Sequence, residues 1–488
     1  MSCGLAGTSG RAGMAGMAGV TGMAGRAGTA EVTPLRQTAN DAIEGTLRMA
    51  GITGCISRDR PCSREDALAR KLLAQLTCPH CWHQCRAEDL LWVSTHPELR
   101  GDRLLTIDAP LRFLPSRFSP RGDAIDPAGS TCHELACPHC HLILPPILLE
   151  RPLTVFSIAG SPGCGKSCYL ASAIWEMRRT FPGTFHLAIA DADPAANQPV
   201  SRIEQSLFLA DHPERPISVE KTPTDGGPYS SVQFDPGQTT LLARPFVYTL
   251  RPVDRHPNAQ AAADRAQVLC LYDNAGEHFL PGAGAAAQPG TEHLARSSVV
   301  LFLFDPTQDV RFRNLLSAIS TDPQVGQRAR SFRQDLVLTE VANRIRSRAA
   351  LPANERIRKA LMLLVSKADI WEKLVAEDLA GEPFWTEQDE RHAWGKMDTR
   401  RVDRVSAAVR AMLQRFAPEL VATAEDAFER VVYVPVSALG ASPTDADGVL
   451  SVTPAQLRPR WVTVPFAYAF SRWATTLIAS NKSETDGA

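Results

Sequence analysis

Long apolar runs are missing from this sequence. The nearest, Leu142–Leu149, is interrupted by Pro145 and Pro146 and is far shorter than the roughly 20 residues that a membrane-spanning helix needs. The start of the chain also lacks the charged residues and the continuous apolar segment of a secretory signal. These absences predict a cytoplasmic protein without a membrane partner.

An excess of charge of either sign is missing as well. The 52 Lys and Arg residues nearly balance the 53 Asp and Glu residues, which gives a formal net charge of −1. Because nucleic-acid-binding domains carry clustered positive charge, a nucleic-acid partner is not expected. With 488 residues, of which 44% are hydrophobic, the chain is long enough for two or more domains that bury real cores.

Aromatic residues are absent from the first 62 residues of the chain. Residues 1–62 instead repeat Gly, Ala and Met, as in Gly13–Gly19. Such a composition buries too little surface to offset the entropy lost on ordering. We therefore expect residues 1–62 to be disordered, and we expect the same of the tail at 481–488.

Cysteines are present in number, and four of the 12 lie in two copies of the tetrapeptide Cys-Pro-His-Cys. In a large chain with the features of an intracellular protein, such Cys-x-x-Cys pairs are typical of metal binding rather than of disulfides. Two pairs supply the four thiolates of a tetrahedral zinc site. We predict one structural Zn²⁺ within a zinc-ribbon-like module at residues 63–150. Its ligands are Cys78, Cys81, Cys137 and Cys140.

Other metal ligands lie close to these pairs in the sequence. Cys85, Cys132, His83 and His133 are alternative ligands, or the ligands of a second site. The module would serve either as a docking or nucleic-acid-binding unit, or as a metal staple for a domain too small to have a core. Because no basic patch accompanies the module, the staple is favoured.

From Leu153 onward, apolar segments of strand length alternate with helical patterns. This alternation indicates an α/β domain over residues 151–480 with a doubly wound, mostly parallel sheet. Helices are predicted at Cys168–Thr180, Arg401–Phe416 and Pro465–Ile478. Strands are predicted at Thr154–Ala159, Phe185–Ala190, Phe246–Leu250, Val268–Tyr272, Val299–Phe304, Leu361–Ser366 and Val431–Val436.

A glycine-rich loop connects the first of these strands to the first helix, and it matches the P-loop pattern G-x-x-x-x-G-K-[ST]. In a P-loop the backbone N–H groups curl around phosphate oxygens, and the positive end of the helix faces the same anion. The Lys would reach the β- and γ-phosphates, and the Ser hydroxyl would ligate Mg²⁺. A plain glycine-rich turn is the alternative, but it would not explain the strand and helix on either side. The predicted nucleotide-binding residues are Gly160, Ser161, Pro162, Gly163, Cys164, Gly165, Lys166, Ser167 and Cys168.

A second polar motif follows the strand at Val268–Tyr272. Asp273 ends this strand and Gly276 stands three positions later, in the pattern D-x-x-G. Behind a P-loop, such an Asp holds Mg²⁺, usually through water, and the N–H of the Gly approaches the γ-phosphate.

Two further strands end in short polar segments, Ser366-Lys367-Ala368-Asp369 and Ser437-Ala438-Leu439. Together with the P-loop and the D-x-x-G motif, and in this order, they make the chain resemble the Ras-like and translation-factor-like (TRAFAC) class of GTPases. The resemblance covers the chain from about Leu153 to the C-terminal helix.

The resemblance implies a site for GTP or GDP with Mg²⁺. Asp369 would accept the N1–H and amino protons of guanine, Lys367 would lie along the plane of the base, and Ser437-Ala438 would contact the guanine oxygen. A carboxylate in this role rejects adenine, which lacks the matching donors. The family has Asn where this chain has Ser366, so one part of the base pocket departs from the pattern.

The resemblance also implies residues for hydrolysis, alongside Lys166. Glu277 stands where the family has its water-positioning Gln, and His278 resembles the histidine that translation factors carry there. The alternative is that neither is catalytic and that turnover is slow or depends on a partner. Thr222 is predicted to be the switch threonine that ligates Mg²⁺, with Thr224, Thr239 and Thr240 as competitors.

The chain has a zinc module ahead of a single GTPase-like domain, the segment Asp273–Phe279 and the strand end Phe304-Asp305-Pro306-Thr307-Gln308. This arrangement resembles the bacterial double-GTPase group. That resemblance implies a nucleotide-dependent switch with slow GTP hydrolysis, within a multi-component bacterial system. Its protein partner would be a second GTPase or an effector. Two other functions remain open: an ATP-using P-loop NTPase, and a non-catalytic nucleotide-binding scaffold with a zinc docking module.

Overall fold

The computed structural model describes residues 72–218, 229–235, 238–253, 255–274, 276–280, 291–326, 331–375, 377, 379–388, 393–446, 449–474 and 477–480. The segments predicted to be disordered, 1–62 and 481–488, lie outside the described residues, as do the predicted switch threonine Thr222 and its competitor Thr224.

The N-terminal module, residues 72–150, is built from eight very short strands. Four of them form one sheet in the order β4-β3-β7-β8, and β1-β2 and β5-β6 form two hairpins. The strands are β1 (Leu76–Thr77), β2 (Gln84–Cys85), β3 (Leu91–Val93), β4 (Arg112–Phe113), β5 (Ala124–Ile125), β6 (Thr131–Cys132), β7 (Leu135–Ala136) and β8 (Ile143–Leu144).

A seven-stranded central sheet follows, and each of its strands overlaps one strand predicted from the sequence. Its order is β10-β14-β15-β9-β16-β17-β20. The five strands from β15 to β20 in this order pair in parallel, while β14 and β10 add to the edge in antiparallel fashion. The predicted mostly parallel sheet is therefore confirmed. The strands are β9 (Leu153–Gly160), β10 (Leu187–Asp191), β14 (Phe246–Pro252), β15 (Gln267–Asp273), β16 (Val299–Phe304), β17 (Ile357–Val365) and β20 (Phe428–Pro435).

Smaller strands lie outside the central sheet. They pair as β12-β13, as β11-β22-β21 and as β18-β19-β23. These strands are β11 (Ile217–Ser218), β12 (Tyr229–Asp235), β13 (Gln238–Ala243), β18 (Phe384–Gln388), β19 (Ala393–Met397), β21 (Thr444–Ala446), β22 (Val449–Val452) and β23 (Ala479–Ser480).

The helices connect the strands of the central sheet. The predicted helix Pro465–Ile478 is shorter than expected, because the last α-helix ends at Ala469 and a π-helical turn follows at Phe470–Ala474. The helices are α1 (Lys166–Thr184), α2 (Pro194–Phe208), α3 (Ala262–Arg265), α4 (Glu292–Arg296), α5 (Val310–Leu316), α6 (Pro323–Gly326), α7 (Gln334–Arg348), α8 (Ala368–Trp371), α9 (Thr399–Phe416), α10 (Pro418–Ala427) and α11 (Val464–Ala469).

The N-terminal module covers part of one face of the central sheet. Successive side chains of a strand point to opposite faces. In β15, Leu269 and Leu271 belong to the large helical core, whereas Val268, Cys270 and Tyr272 belong to a second core that includes the cysteines of the module. The module thus occupies a face that a helix would otherwise have to cover.

Candidate functional site

The glycine-rich loop joins β9 to the 19-residue helix α1. Gly163 and Gly165 have φ angles of 70° and 95°, a backbone conformation that glycine adopts far more readily than other residues. At Gly160 an added Cβ would lie 2.6 Å from the carbonyl oxygen of Leu303 in β16. Glycine is therefore required where the loop begins, and the N–H groups at the start of α1 face the loop.

This loop lies at the point where the chain changes direction across the sheet. β9 has β15 on one side and β16 on the other, both parallel to it. In open α/β sheets ligands bind outside the carboxyl ends of the strands at such a point. The predicted motifs after β9, β15, β17 and β20 consequently share one edge of the sheet.

Lys166 and Ser167 are positioned by the first turn of α1. The Lys166 Nζ donates to the carbonyl oxygens of Gly160 at 3.2 Å and Ser161 at 3.0 Å, so the ammonium group lies over the loop. The Ser167 hydroxyl donates to the Asp273 carboxylate at 2.7 Å. Two of the three residues predicted to hold Mg²⁺, one from the P-loop and one from D-x-x-G, are therefore in contact.

One oxygen of the Asp273 carboxylate, Oδ1, is buried. This oxygen has no hydrogen-bond partner within the part of the chain that the structure describes. Burial raises the pKa of Asp273, while Lys166 and the Ser167 hydroxyl act to lower it. An unpartnered carboxylate oxygen next to a hydroxyl is a suitable pair of ligands for a hard divalent cation.

The turn after Asp273 rests on the glycine-rich loop. At Gly276 an added Cβ would lie 2.5 Å from the Pro162 nitrogen and 2.7 Å from the Gly160 oxygen. Glu277, in the same 3₁₀ turn, is exposed. The side chain of His278 lies outside the described residues. The turn is closed by Phe279, which is buried beneath the guanidinium of Arg344 at 4.7 Å from the ring centre.

The segment Ser366–Asp369 after β17 meets the segment after β20. The Ser437 hydroxyl donates to Asp369 Oδ1, and Ala438 packs at the margin of the large core. Burial raises the pKa of Asp369, and the hydrogen bond from Ser437 opposes that shift. The Ser366 hydroxyl is buried, and its oxygen has no partner among the described residues.

Lys367 adopts the left-handed conformation, with φ of 55°, and its side chain turns toward β16. Its Nζ lies 2.8 Å from Asp305 Oδ2 and 2.8 Å from Thr307 Oγ1. The sequence analysis assigned no role to Asp305 or Thr307. The signal was present in a polar Asp-Pro-Thr-Gln run directly after an apolar strand.

Two glutamines near the loop also had no predicted role. The Ser161 hydroxyl donates to Gln308 Oε1 at 2.5 Å, and Gln308 Nε2 donates to the Pro162 oxygen at 3.0 Å. Gln334, at the start of α7, pairs with the backbone N–H and oxygen of Asp305 at 2.9 Å and 2.8 Å. No local pattern in the sequence marks Gln334.

The two Cys-Pro-His-Cys segments, which we call knuckles, have matching backbones. In each knuckle the residue after the second Cys has a positive φ, 63° at Trp82 and 61° at His141. In each, the N–H of that residue donates to the carbonyl oxygen of the first Cys at 2.9 Å. The N–H two positions after the first Cys donates to its Sγ at 3.4 Å, from His80 and from His139.

The two knuckles bring their four sulfur atoms together. All four lie within 4.8 Å of one another, with 3.7 Å between Cys78 and Cys140 and 3.6 Å between Cys81 and Cys137. A tetrahedral Zn²⁺ with bonds of 2.3 Å requires sulfur atoms about 3.8 Å apart. The cluster is therefore compatible with zinc.

The alternative ligands lie elsewhere in the module. The ring of His83 stacks on that of His139 at 4.9 Å between centroids, and His133 pairs with Asp123 at 3.3 Å. The thiol of Cys132 lies 3.8 Å from Asp126. Of the residues that the structure describes, only Cys78, Cys81, Cys137 and Cys140 form a group of three or more close metal-ligating side chains.

The knuckles also contact the strand that carries Asp273. The Tyr272 hydroxyl donates to the Pro79 oxygen inside the first knuckle. Its ring lies 5.9 Å from that of Trp82 and stacks on His293 at 4.6 Å. The four-cysteine cluster and the glycine-rich loop are thus connected through two consecutive residues of β15, Tyr272 and Asp273.

Comparisons with known proteins add little to this description. No family model matches the chain, and no curated protein matches it. Among solved structures, it is similar to Sup35 complexed with GDP, at 12% identity and a TM-score of 0.20 over 59% of this chain and 38% of that chain. It is also similar to the GTPase-like domain of Ski7 from S. cerevisiae bound to GTP, at 11% identity and a TM-score of 0.20 over 59% of this chain and 43% of that chain.

A second Ski7 structure, bound to GDP and inorganic phosphate, is similar at 11% identity and a TM-score of 0.21 over 69% of this chain and 52% of that chain. The chain therefore spans between 38% and 52% of the length of these three structures. At such scores the similarity assigns neither a family nor a function. The sheet and the glycine-rich loop define the class, a mixed α/β protein with a P-loop-like turn. Within the described residues, no helix has the length and apolar character needed to cross a bilayer.

Gly276→Ala tests the contact between the turn and the loop. The new methyl group would overlap the backbone of Pro162, and we expect a loss of stability of about 1 to 3 kcal/mol, as for other overpacked sites. Urea unfolding of the full chain measures this loss. Gly183→Ala is the matched control, because an added Cβ there meets nothing within 4 Å. An equal midpoint for both variants would contradict the contact.

Proposed function

We propose that this chain is a GTP-binding switch that hydrolyses GTP slowly. The observation that carries the proposal is the contact between Ser167 of the glycine-rich loop and Asp273 at the end of β15, 2.7 Å apart. This contact brings the P-loop-like turn to the same edge of the sheet as a carboxylate whose Oδ1 has no partner among the described residues. The combination suits a nucleoside triphosphate with its divalent cation.

The phosphate end of the site would be formed by α1 and its loop. The N–H groups of the loop and the helix N-terminus would bind the phosphates, and Lys166 would move from the loop oxygens to the β- and γ-phosphates. Ser167 and Asp273 would hold Mg²⁺, with Thr222 as a further predicted ligand. The ion would supply positive charge that neutralises the phosphate oxygens.

The base end would be formed by the segments after β17 and β20. Asp369 lies close to Ser437 and would accept the N1–H and amino protons of guanine. Lys367 would lie along the base, and Ser437-Ala438 would contact its oxygen. The buried Ser366 stands where the family has Asn, so one support of a guanine pocket is missing, and an ATP-using enzyme is the alternative.

Hydrolysis would proceed by in-line attack of water on the γ-phosphate. Lys166 would stabilise the charge that develops in the transition state. Glu277 and His278 would orient or deprotonate the water. Glu277 is exposed on the turn, and among the described residues no hydrogen bond holds its carboxylate in one place, so slow turnover is expected.

The N-terminal module would hold a structural Zn²⁺ at Cys78, Cys81, Cys137 and Cys140. Each very short strand of the module buries little by itself, so the metal would act as the staple. A cytoplasmic role beside a second GTPase or another effector, in a bacterial multi-component system, completes the proposal.

Calorimetric titration with non-hydrolysable GTP and ATP analogues tests the nucleotide assignment. We expect the Mg²⁺-loaded full chain to bind the GTP analogue at least about tenfold more tightly, a difference of about 1.4 kcal/mol. Equal or tighter binding of the ATP analogue would replace the GTP assignment with the ATP-using alternative. Lys166→Ala should weaken both, because it removes a phosphate contact shared by all nucleotides.

The variant Asp369→Asn tests whether the Asp369 carboxylate recognises guanine. An amide donates where the carboxylate only accepts, and xanthine carries an oxygen where guanine has its amino group. We expect the variant to lose at least about tenfold in GTP affinity and to gain affinity for XTP. Competition between labelled GTP and unlabelled XTP measures the exchange. Loss of binding to every nucleotide would indicate a damaged site instead.

Metal removal tests the zinc assignment. We expect about one equivalent of zinc per chain in the purified protein, and a lower melting temperature after chelation. Cys140→Ser should lose the zinc and about 2 to 5 kcal/mol of stability, the range of a buried cross-link. Cys85→Ser is the matched control, since Cys85 is a buried cysteine outside the cluster and should retain full zinc content.

A further inference from the structure

The side chain of Lys367 is bound by two residues that follow a different strand, β16. Asp305 and Thr307 follow β16, and both lie 2.8 Å from the Lys367 ammonium. The Thr307 hydroxyl donates in turn to Asp305 Oδ1 at 2.7 Å, and the Thr307 N–H donates to the same oxygen at 2.9 Å. Lys367 therefore meets a carboxylate and a hydroxyl that are already fixed relative to each other.

The same segment extends to the glycine-rich loop. Gln308, the next residue, spans Ser161 and Pro162 with the two ends of its amide. Gln334 from α7 fixes the backbone of Asp305 on the other side, and its Oε1 lies 3.3 Å from the Ser161 hydroxyl. One polar network thus joins the loop of the phosphate end to the Lys of the base end.

The residues of this network are almost completely buried. Asp305, Thr307 and Gln334 expose 1%, 2% and 2% of their surface, and Ser161 exposes none. Buried polar groups are costly unless they are satisfied, and the hydrogen bonds above account for their polar atoms at both ends. The arrangement is a rigid connection with a specific geometry.

We propose that Asp305 and Thr307 are positioning residues for nucleotide specificity, and that Gln308 and Gln334 position the phosphate-binding loop. This inference rests on the proposed function. Asp305 and Thr307 bind the Lys367 ammonium and so fix the side chain that would lie along the base. They would support the base pocket from the β16 side, where Ser366 replaces the family's Asn. Gln308 acts on the loop alone and therefore affects all nucleotides alike.

Thr307→Val provides the cleanest test, because it removes the hydroxyl and keeps the branched shape. We expect GTP affinity to fall about tenfold while ATP affinity is unchanged, so that the ratio of the two falls about tenfold. Thr307→Ser restores the hydroxyl and should restore the ratio. Asp305→Asn should lower the ratio in the same direction. Titration of the Mg²⁺-loaded full chain with both analogues measures all three variants.

Gln308→Leu tests the other half of the network. It removes both hydrogen bonds to the loop with little change in volume, and we expect GTP and ATP affinities to fall by the same factor with their ratio unchanged.

Glu425→Gln is the control for Asp305→Asn, because both substitutions remove one carboxylate. Glu425 pairs with Arg410 at 2.7 Å on helices away from the site, so its loss should alter neither affinity.

The outcomes separate the inference from the function on which it rests. A wild-type chain that prefers GTP, with Thr307→Val at a reduced ratio and Thr307→Ser at the wild-type ratio, supports the inference. The same preference retained in Thr307→Val and Asp305→Asn overturns it and leaves the proposed function standing. A fall in both affinities with an unchanged ratio in Thr307→Val indicates a structural role and also overturns it. A wild-type chain without a GTP preference overturns both.

Discussion

Parallel pairing of β9 with β15 on one side and β16 on the other is the interaction on which the rest of this structure depends. It aligns the carboxyl ends of strands that are far apart in the sequence, so the loops that follow them meet at one edge. The contact is close enough that Gly160 would clash with Leu303 if it carried a Cβ. The same pairing places Ser167 against Asp273, and the parallel pairing of β16 with β17 brings Asp305 next to Lys367.

The N-terminal module is attached to this arrangement through the opposite face of β15. Alternation along the strand directs Leu271 into the helical core and Tyr272 toward the first knuckle. Asp273 comes next and faces the site. A single strand therefore connects the metal cluster, the core and the predicted Mg²⁺ ligand within three consecutive residues. The four-cysteine cluster joins the two knuckles of the module, and the first knuckle contacts that strand through Tyr272.

Most of the central sheet was predictable because each strand is a short apolar run with its own local signal. All seven predicted strands became strands of the sheet. The helix predicted at Pro465–Ile478 was too long, because a π-helical turn replaces the α-helix after Ala469, and no Gly or Pro in the sequence marks that end. Whether Glu277, His278 and Thr222 act as expected stays a prediction, and Thr222 lies outside the described residues.

The sequence by itself determined the local chemistry of this protein. The glycine-rich loop, the Asp at the end of β15 and the paired cysteines are recognisable because the residues that define each one are neighbours in the chain. Only the tertiary structure decided that Lys367 is anchored by Asp305 and Thr307, that Gln334 reaches the phosphate loop, and that Tyr272 touches a metal knuckle. These contacts join distant segments, and strand order, which no local pattern encodes, sets which segments become neighbours.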